Sequence, residues 1–139
     1  MPFLEQPAQL EYLDSFRFMV GETALAAGLT ERDLGLLEMA LEEVLVNIVN
    51  YAYPQGQAGT IRLKCEADGQ GEGILHLEVR DSGAPFDPLA KTDPDLTLGV
   101  DERDIGGLGI FMTKKVMKDV RYERQGEENV LLLVYKSAE

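Results

Sequence analysis

The chain has 139 residues, 45% of them hydrophobic, which suits one domain with its own packed core. Its formal charge of -12 argues against a nucleic-acid surface, since binding phosphate backbones needs an accumulated positive field. No run approaches the roughly 18 apolar residues of a membrane span, and the N-terminus has no secretory pattern, so a cytoplasmic protein with no membrane partner is expected.

Residues 8–27 place Leu10, Leu13, Phe16 and Val20 on one side of an amphipathic helix that Gly28 would end. A second helix is predicted over 31–53, where Thr30 and Asp33 approximate a capping box and Pro54 marks the stop. Leu37, Leu41, Val44, Ile48 and Ala52 form its apolar stripe. Glu43, Asn47 and Asn50, spaced i, i+4, i+7, gather a carboxylate and two amides on the opposite side. That polar side serves equally well as a solvated face or as a chemical one.

Two strands follow, 60–67 and 74–81, joined as an antiparallel hairpin through Asp68 to Gly73. The single cysteine, Cys65, alternates with Ile61, Leu63 and Ala67, which predicts a buried reduced thiol and leaves neither a disulfide nor a zinc site. His76 falls mid-strand in a solvated or cross-strand position. Leu75, Leu77 and Val79 point inward, so Asp81 brings its carboxylate to the sheet's rim at the start of Asp81-Ser82-Gly83-Ala84-Pro85-Phe86-Asp87-Pro88. A carboxylate there suits the exocyclic amine of adenine, with Gly83 removing a side chain where a base would approach; Asp-Ser-Gly is also ordinary turn chemistry after a strand.

Pro85 to Asp104 has three prolines and no period, which predicts a long loop. Gly106-Gly107-Leu108-Gly109-Ile110-Phe111 then leads into a helix over 110–117. Its first N–H groups are suited to an anion, although the glycines also suit a hinge. The spacing matches neither G-x-G-x-x-G nor a P-loop. Residues 103–124 hold six bases (Arg103, Lys114, Lys115, Lys118, Arg121, Arg124) against three acids, while residues 1–60 hold nine acids against two bases, so an anionic ligand is favoured in the C-terminal third. Strands at 120–125 and 129–136, separated by Gly126, close the chain. The order predicts a two-layer α/β sandwich with a mixed sheet covered on one face by helices.

The succession E-x-x-x-N, D-x-G-x-P-F-D-P and G-G-L-G-I-F resembles the Bergerat ATP-binding fold of DNA gyrase, MutL and histidine kinases. More narrowly, Leu41 to Pro54, Asp81 to Pro88 and Gly106 to Val120 resemble the bacterial anti-sigma factor serine/threonine protein kinases. The resemblance implies that Glu43 is a catalytic base toward a serine hydroxyl and that Asn47 binds Mg2+. It implies an ATP site on Asn47, Asn50, Asp81, Gly83, Phe86, Arg103, Gly107, Leu108 and Gly109, and an ATP lid over Pro85 to Asp104. Its implied partners are an anti-anti-sigma factor of the STAS type, a sigma factor and a second copy of the chain.

The chain departs from the family in two places. Asn50 is neutral where relatives often carry a base, and Glu127-Glu128-Asn129 stands where a threonine is expected, so phosphate neutralisation would rest on Lys91, Arg103 or Lys114. The length leaves no room for the second domain of gyrase or MutL, and no histidine sits in a helical phosphoacceptor segment. A binding module of the same fold, in which ATP selects the partner without turnover, is the alternative reading. An acidic interaction protein with fortuitous motifs is a third.

Overall fold

The computed structural model describes residues 3–53, 59–68, 73–85, 87–90 and 107–137. In chain order these form β1 (Phe3–Pro7), α1 (Leu13–Ala26), α2 (Glu31–Asn47), β2 (Thr60–Asp68), β3 (Ile74–Asp81), α3 (Gly107–Val116), β4 (Asp119–Gln125) and β5 (Glu128–Lys136). Short 3-10 turns occupy Leu10–Tyr12 and Pro88–Ala90, and a π-helical turn, Ile48–Ala52, prolongs α2.

The helix boundaries follow from local chemistry. Gly28 adopts φ +86°, the left-handed conformation that lets the Gly28 N–H reach Leu25 O and the Leu29 N–H reach Ala24 O, both at 3.0 Å, closing the C-terminus of α1. Thr30 and Asp33 form the expected capping box: the Thr30 hydroxyl accepts from Asp33 N at 3.2 Å and the Asp33 carboxylate from Thr30 N at 2.8 Å. The α2 stripe is buried throughout, and Leu37 and Leu41 are fully enclosed, each worth about 1.5–3 kcal/mol of burial.

Leu13, Phe16 and Val20 of α1 join the same core, but Leu10 is 60% exposed because the chain enters α1 through a 3-10 turn, which takes Leu10 off the α-helical stripe. Strand β1, which the sequence did not announce, pairs with β2 from Phe3↔Lys64 to Pro7↔Thr60.

The sheet order is β1-β2-β3-β5-β4, and each pairing is antiparallel, where a mixed sheet was expected. The reason lies in the last hairpin. The crossover through α3 joins β3 and β4, which run the same way, but the tight turn at Gly126 (φ +60°) folds β5 into the slot between them. The helices cover one face of the sheet. The other is a mixed-charge surface carrying Lys64, His76, Glu78 and Arg80, with His76 paired to Asp68 at 3.1 Å and Arg80 to Glu78 at 2.6 Å. No helix among the described residues is long and apolar enough to cross a membrane.

Candidate nucleotide site

Inward alternation on β3 carries Leu75, Leu77, Val79 and then Asp81 to the helical side, so the last inward position of the strand is a carboxylate, 3% exposed. Asp81 Oδ1 accepts from Gly83 N and from the Asn129 side-chain amide, each at 2.9 Å. Oδ2 takes no hydrogen bond among the described residues. Burial pushes the Asp81 carboxyl above its ordinary value, against the opposing effects of the Asn129 and Gly83 hydrogen bonds and of the positive charges on Arg124 and Arg62.

A cavity of about 20 Å³ lies between β3, β5 and α2, lined by Asn47, Asp81 and Asn129 among the apolar side chains of Val44, Ile48, Val79, Ile110 and Leu131, with Tyr122 and Pro88 at its margin. Asn47 and Asp81, 34 positions apart, therefore meet in one place. Asn47 is 8% exposed and its side chain has no hydrogen-bond partner among the described residues, so a polar group is left for something to engage. Glu43 lies one turn before Asn47 on the same side of α2, half-buried.

The fit to a purine is chemical before it is volumetric. Apolar walls suit a flat ring and the open oxygen of Asp81 suits an amine donor, but 20 Å³ is room for about one water, so a base enters only if the lining opens. Among the described residues no three acids, cysteines or histidines cluster as metal ligands. An ion at Asn47 would draw its remaining ligands from phosphate oxygens and water, as magnesium commonly does.

The other site residues expected from the sequence fall as follows. Asn50 lies in the π-helical turn and is exposed; the wider turn carries it away from the side shared by Glu43 and Asn47, so the structure does not bring it to the cavity. Gly83 is buried, and a Cβ there would collide with the carbonyl of Ala52, so the close approach requiring glycine is to the end of the π turn. Ala84 N donates to the same Ala52 oxygen at 2.8 Å.

Gly107, Leu108 and Gly109 form the first turn of α3, which begins three residues earlier than expected and packs against α2. Their N–H groups are among those an α-helix leaves without internal partners. Phe86, Lys91 and Arg103 lie outside the described residues, as does most of the Pro85–Asp104 segment.

Among the described residues the basic stretch does not converge on the start of α3. Lys114 and Lys115 occupy its last turn, about 10 Å along the axis from Gly107, and Arg121 is paired with Asp119 at 2.7 Å on the exposed surface. Arg124 donates to Gly83 O at 2.8 Å and to Asn129 Oδ1 at 3.2 Å.

Sequence reasoning gave Asn129 no role in the site. Its amide also donates to Ala84 O at 2.8 Å, and its Oδ1 accepts from the Tyr122 hydroxyl at 2.5 Å. An asparagine inside a strand, where that residue is depleted, was the available signal.

This geometry has counterparts in known proteins. The histidine kinase-like ATPase domain model matches residues 6–135. The chain belongs to that family. It is 28% identical to the serine-protein kinase RsbW of Bacillus subtilis (strain 168), over 98% of this chain and 86% of that protein. It is 30% identical to the serine/threonine-protein kinase BtrW of Bordetella bronchiseptica, over 73% of this chain and 70% of that one. Among solved structures, the histidine kinase domain of the Erythrobacter litoralis EL346 blue-light activated histidine kinase superposes with a TM-score of 0.51 at 13% identity, over 86% of this chain and 60% of that one, a likeness of fold.

Proposed function

We propose that this histidine kinase-like ATPase domain is an anti-sigma regulatory kinase, which transfers the terminal phosphoryl group of ATP to a serine on a STAS-type anti-anti-sigma protein and sequesters a sigma factor when that protein does not engage it. The observation carrying the proposal is the convergence of Asn47 and Asp81 on one cavity beside α3, with Glu43 one turn from Asn47. The similarity to RsbW and BtrW, both named as serine or serine/threonine kinases, supports the same reading.

In this reading Asp81 Oδ2 accepts from the exocyclic amine of the base, and Val44, Ile48 and Leu131 exclude water from its faces. The Asn47 amide oxygen would supply one ligand to Mg2+, and the N–H groups of Gly107, Leu108 and Gly109, which open α3, would face the phosphates. Glu43 takes the proton of the substrate serine as that oxygen bonds to phosphorus and ADP departs. ATP with magnesium supplies the phosphoryl group; the protein's part is to position and neutralise.

In this reading a second copy packs against the β1 edge of the sheet. The outer edge of β1 pairs with no strand among the described residues, and Phe3, Leu4, Phe18 and Met19 line an open groove beside it, with Phe18 70% exposed.

The test is incubation of the full chain with labelled ATP, magnesium and candidate STAS proteins. Label should appear on serine of one of them, and Glu43→Ala should bind ATP while transferring nothing. ATP-dependent partner binding with no label transferred would instead favour a non-catalytic switch module of the same fold. Failure to bind any adenine nucleotide would end both readings.

A further inference from the structure

Asp81, Asn129 and Arg124 occupy one cross-strand row, since Asp81 pairs with Asn129 on β5 and Asn129 with Arg124 on β4. Asn129 is 4% exposed, and its neighbours fix the orientation of its amide. Arg124 can only donate and the Ala84 carbonyl can only accept, so the oxygen end of the amide must face Arg124 and Tyr122, and the nitrogen end must face Ala84 and Asp81. The amide nitrogen and Gly83 N together hold Asp81 Oδ1. Oδ2 is the oxygen left for the cavity.

We propose that Asn129 is a positioning residue that fixes the orientation of the Asp81 carboxylate, holding one oxygen toward the cavity, and so sets the site's preference for a purine bearing an amine over one bearing a carbonyl at the same edge. The inference rests on the nucleotide reading given above. A carboxylate oxygen held toward the ligand accepts from an amine and repels a carbonyl. Without the Asn129 amide the carboxylate can rotate toward Arg124, so the amine-bearing purine loses its acceptor while the carbonyl-bearing one escapes the repulsion, and the two affinities approach each other.

The experiment is titration of the full chain with ATP and with inosine triphosphate, which carries a carbonyl in place of the amine, both in magnesium. The wild type should prefer ATP by roughly ten- to a hundredfold. Asn129→Ala should bring the two affinities within about threefold of each other. Asn129→Thr, whose hydroxyl can still donate to Asp81, should recover most of the preference.

A ratio unchanged in Asn129→Ala while both affinities fall would overturn the proposal, because a purely architectural residue weakens both ligands together. Should Asn129→Ala not fold, Tyr122→Phe removes one bond to the amide oxygen and should narrow the ratio by roughly two- to fivefold; no change there would overturn it equally. A wild type that binds neither nucleotide would instead refute the nucleotide reading itself.

Discussion

The Tyr135 hydroxyl donates to Asp33 Oδ1 at 2.5 Å across 102 positions of sequence, tying the last strand to the N-terminal cap of α2. The other Asp33 oxygen accepts from Thr30 N at 2.8 Å, Thr30 Oγ1 at 2.9 Å and Ser137 Oγ at 3.0 Å. The helix carrying Glu43 and Asn47 is thus anchored to the sheet at its far end.

Burial raises the Asp33 carboxyl, but hydrogen bonds from Tyr135, Thr30 and Ser137 outweigh it and hold the group below its ordinary 3.8. A depressed folded-state value means that the stabilisation is complete above the unfolded value and is lost as pH falls through the folded one. Asp33→Asn should therefore cost about 1–3 kcal/mol at pH 7 in urea melts, with the gap to wild type closing below about pH 4. A gap that persists unchanged at pH 3 would rule out the ionised bonds as its source.

Glycine positions should divide by what surrounds them. Gly21 in α1 and Gly35 in α2 have nothing within 4 Å of the point a methyl carbon would occupy, so Gly21→Ala and Gly35→Ala should each add about 0.5–1 kcal/mol by lowering the entropy of the unfolded chain. Gly83→Ala, pressed against the Ala52 backbone, should cost about 1–3 kcal/mol or more. Thermal melts of the three variants check the contrast, and a Gly83→Ala protein as stable as wild type would contradict the packing of the Asp81 loop on the π turn.

Cys65 is enclosed in the core and burial pushes its thiol up to about 12. At pH 8 only about one molecule in ten thousand would carry the thiolate, and the sulfur has no access to solvent. A thiol reagent should leave the folded protein unmodified for hours and label it stoichiometrically in denaturant. Rapid labelling of the native state would mean that β2 opens readily.

Much of this arrangement was legible because it depends on neighbours in sequence. The 74–81 strand, the α2 stripe, the Thr30 cap and the Gly28 stop each follow from spacing or from one residue's conformational preference. The rest depends on long-range partners. Strand β1 is five residues with Pro7 and no clean alternation, and only pairing to β2 makes it a strand. Asn50 was placed by assuming 100° per residue, and the π turn at Ile48–Ala52 breaks that period without a local signature. The bond from Asn129 to Asp81 spans 48 positions, and in sequence Asn129 shows only as a strand asparagine standing where a threonine is expected.

The two polar residues of the cavity should separate in their ligand dependence. Asn47→Ala should lower ATP affinity roughly ten- to a hundredfold in magnesium and leave it unchanged in EDTA, whereas Asp81→Asn should lower it in both. The stability of the Asp81 variant argues the point from the other side. A carboxyl whose folded value is raised contributes stability below its unfolded value, and that contribution is lost as pH climbs through the folded one. Where the carboxyl is ionised the wild type bears the cost of a buried charge, while the amide of the Asp81→Asn variant is neutral at every pH and can still accept from Gly83 N. Asp81→Asn should melt at the same temperature or higher while losing ATP, which is the signature of a residue kept for its ligand and not for the fold. A variant that lost several degrees of melting temperature along with binding would assign Asp81 to architecture instead.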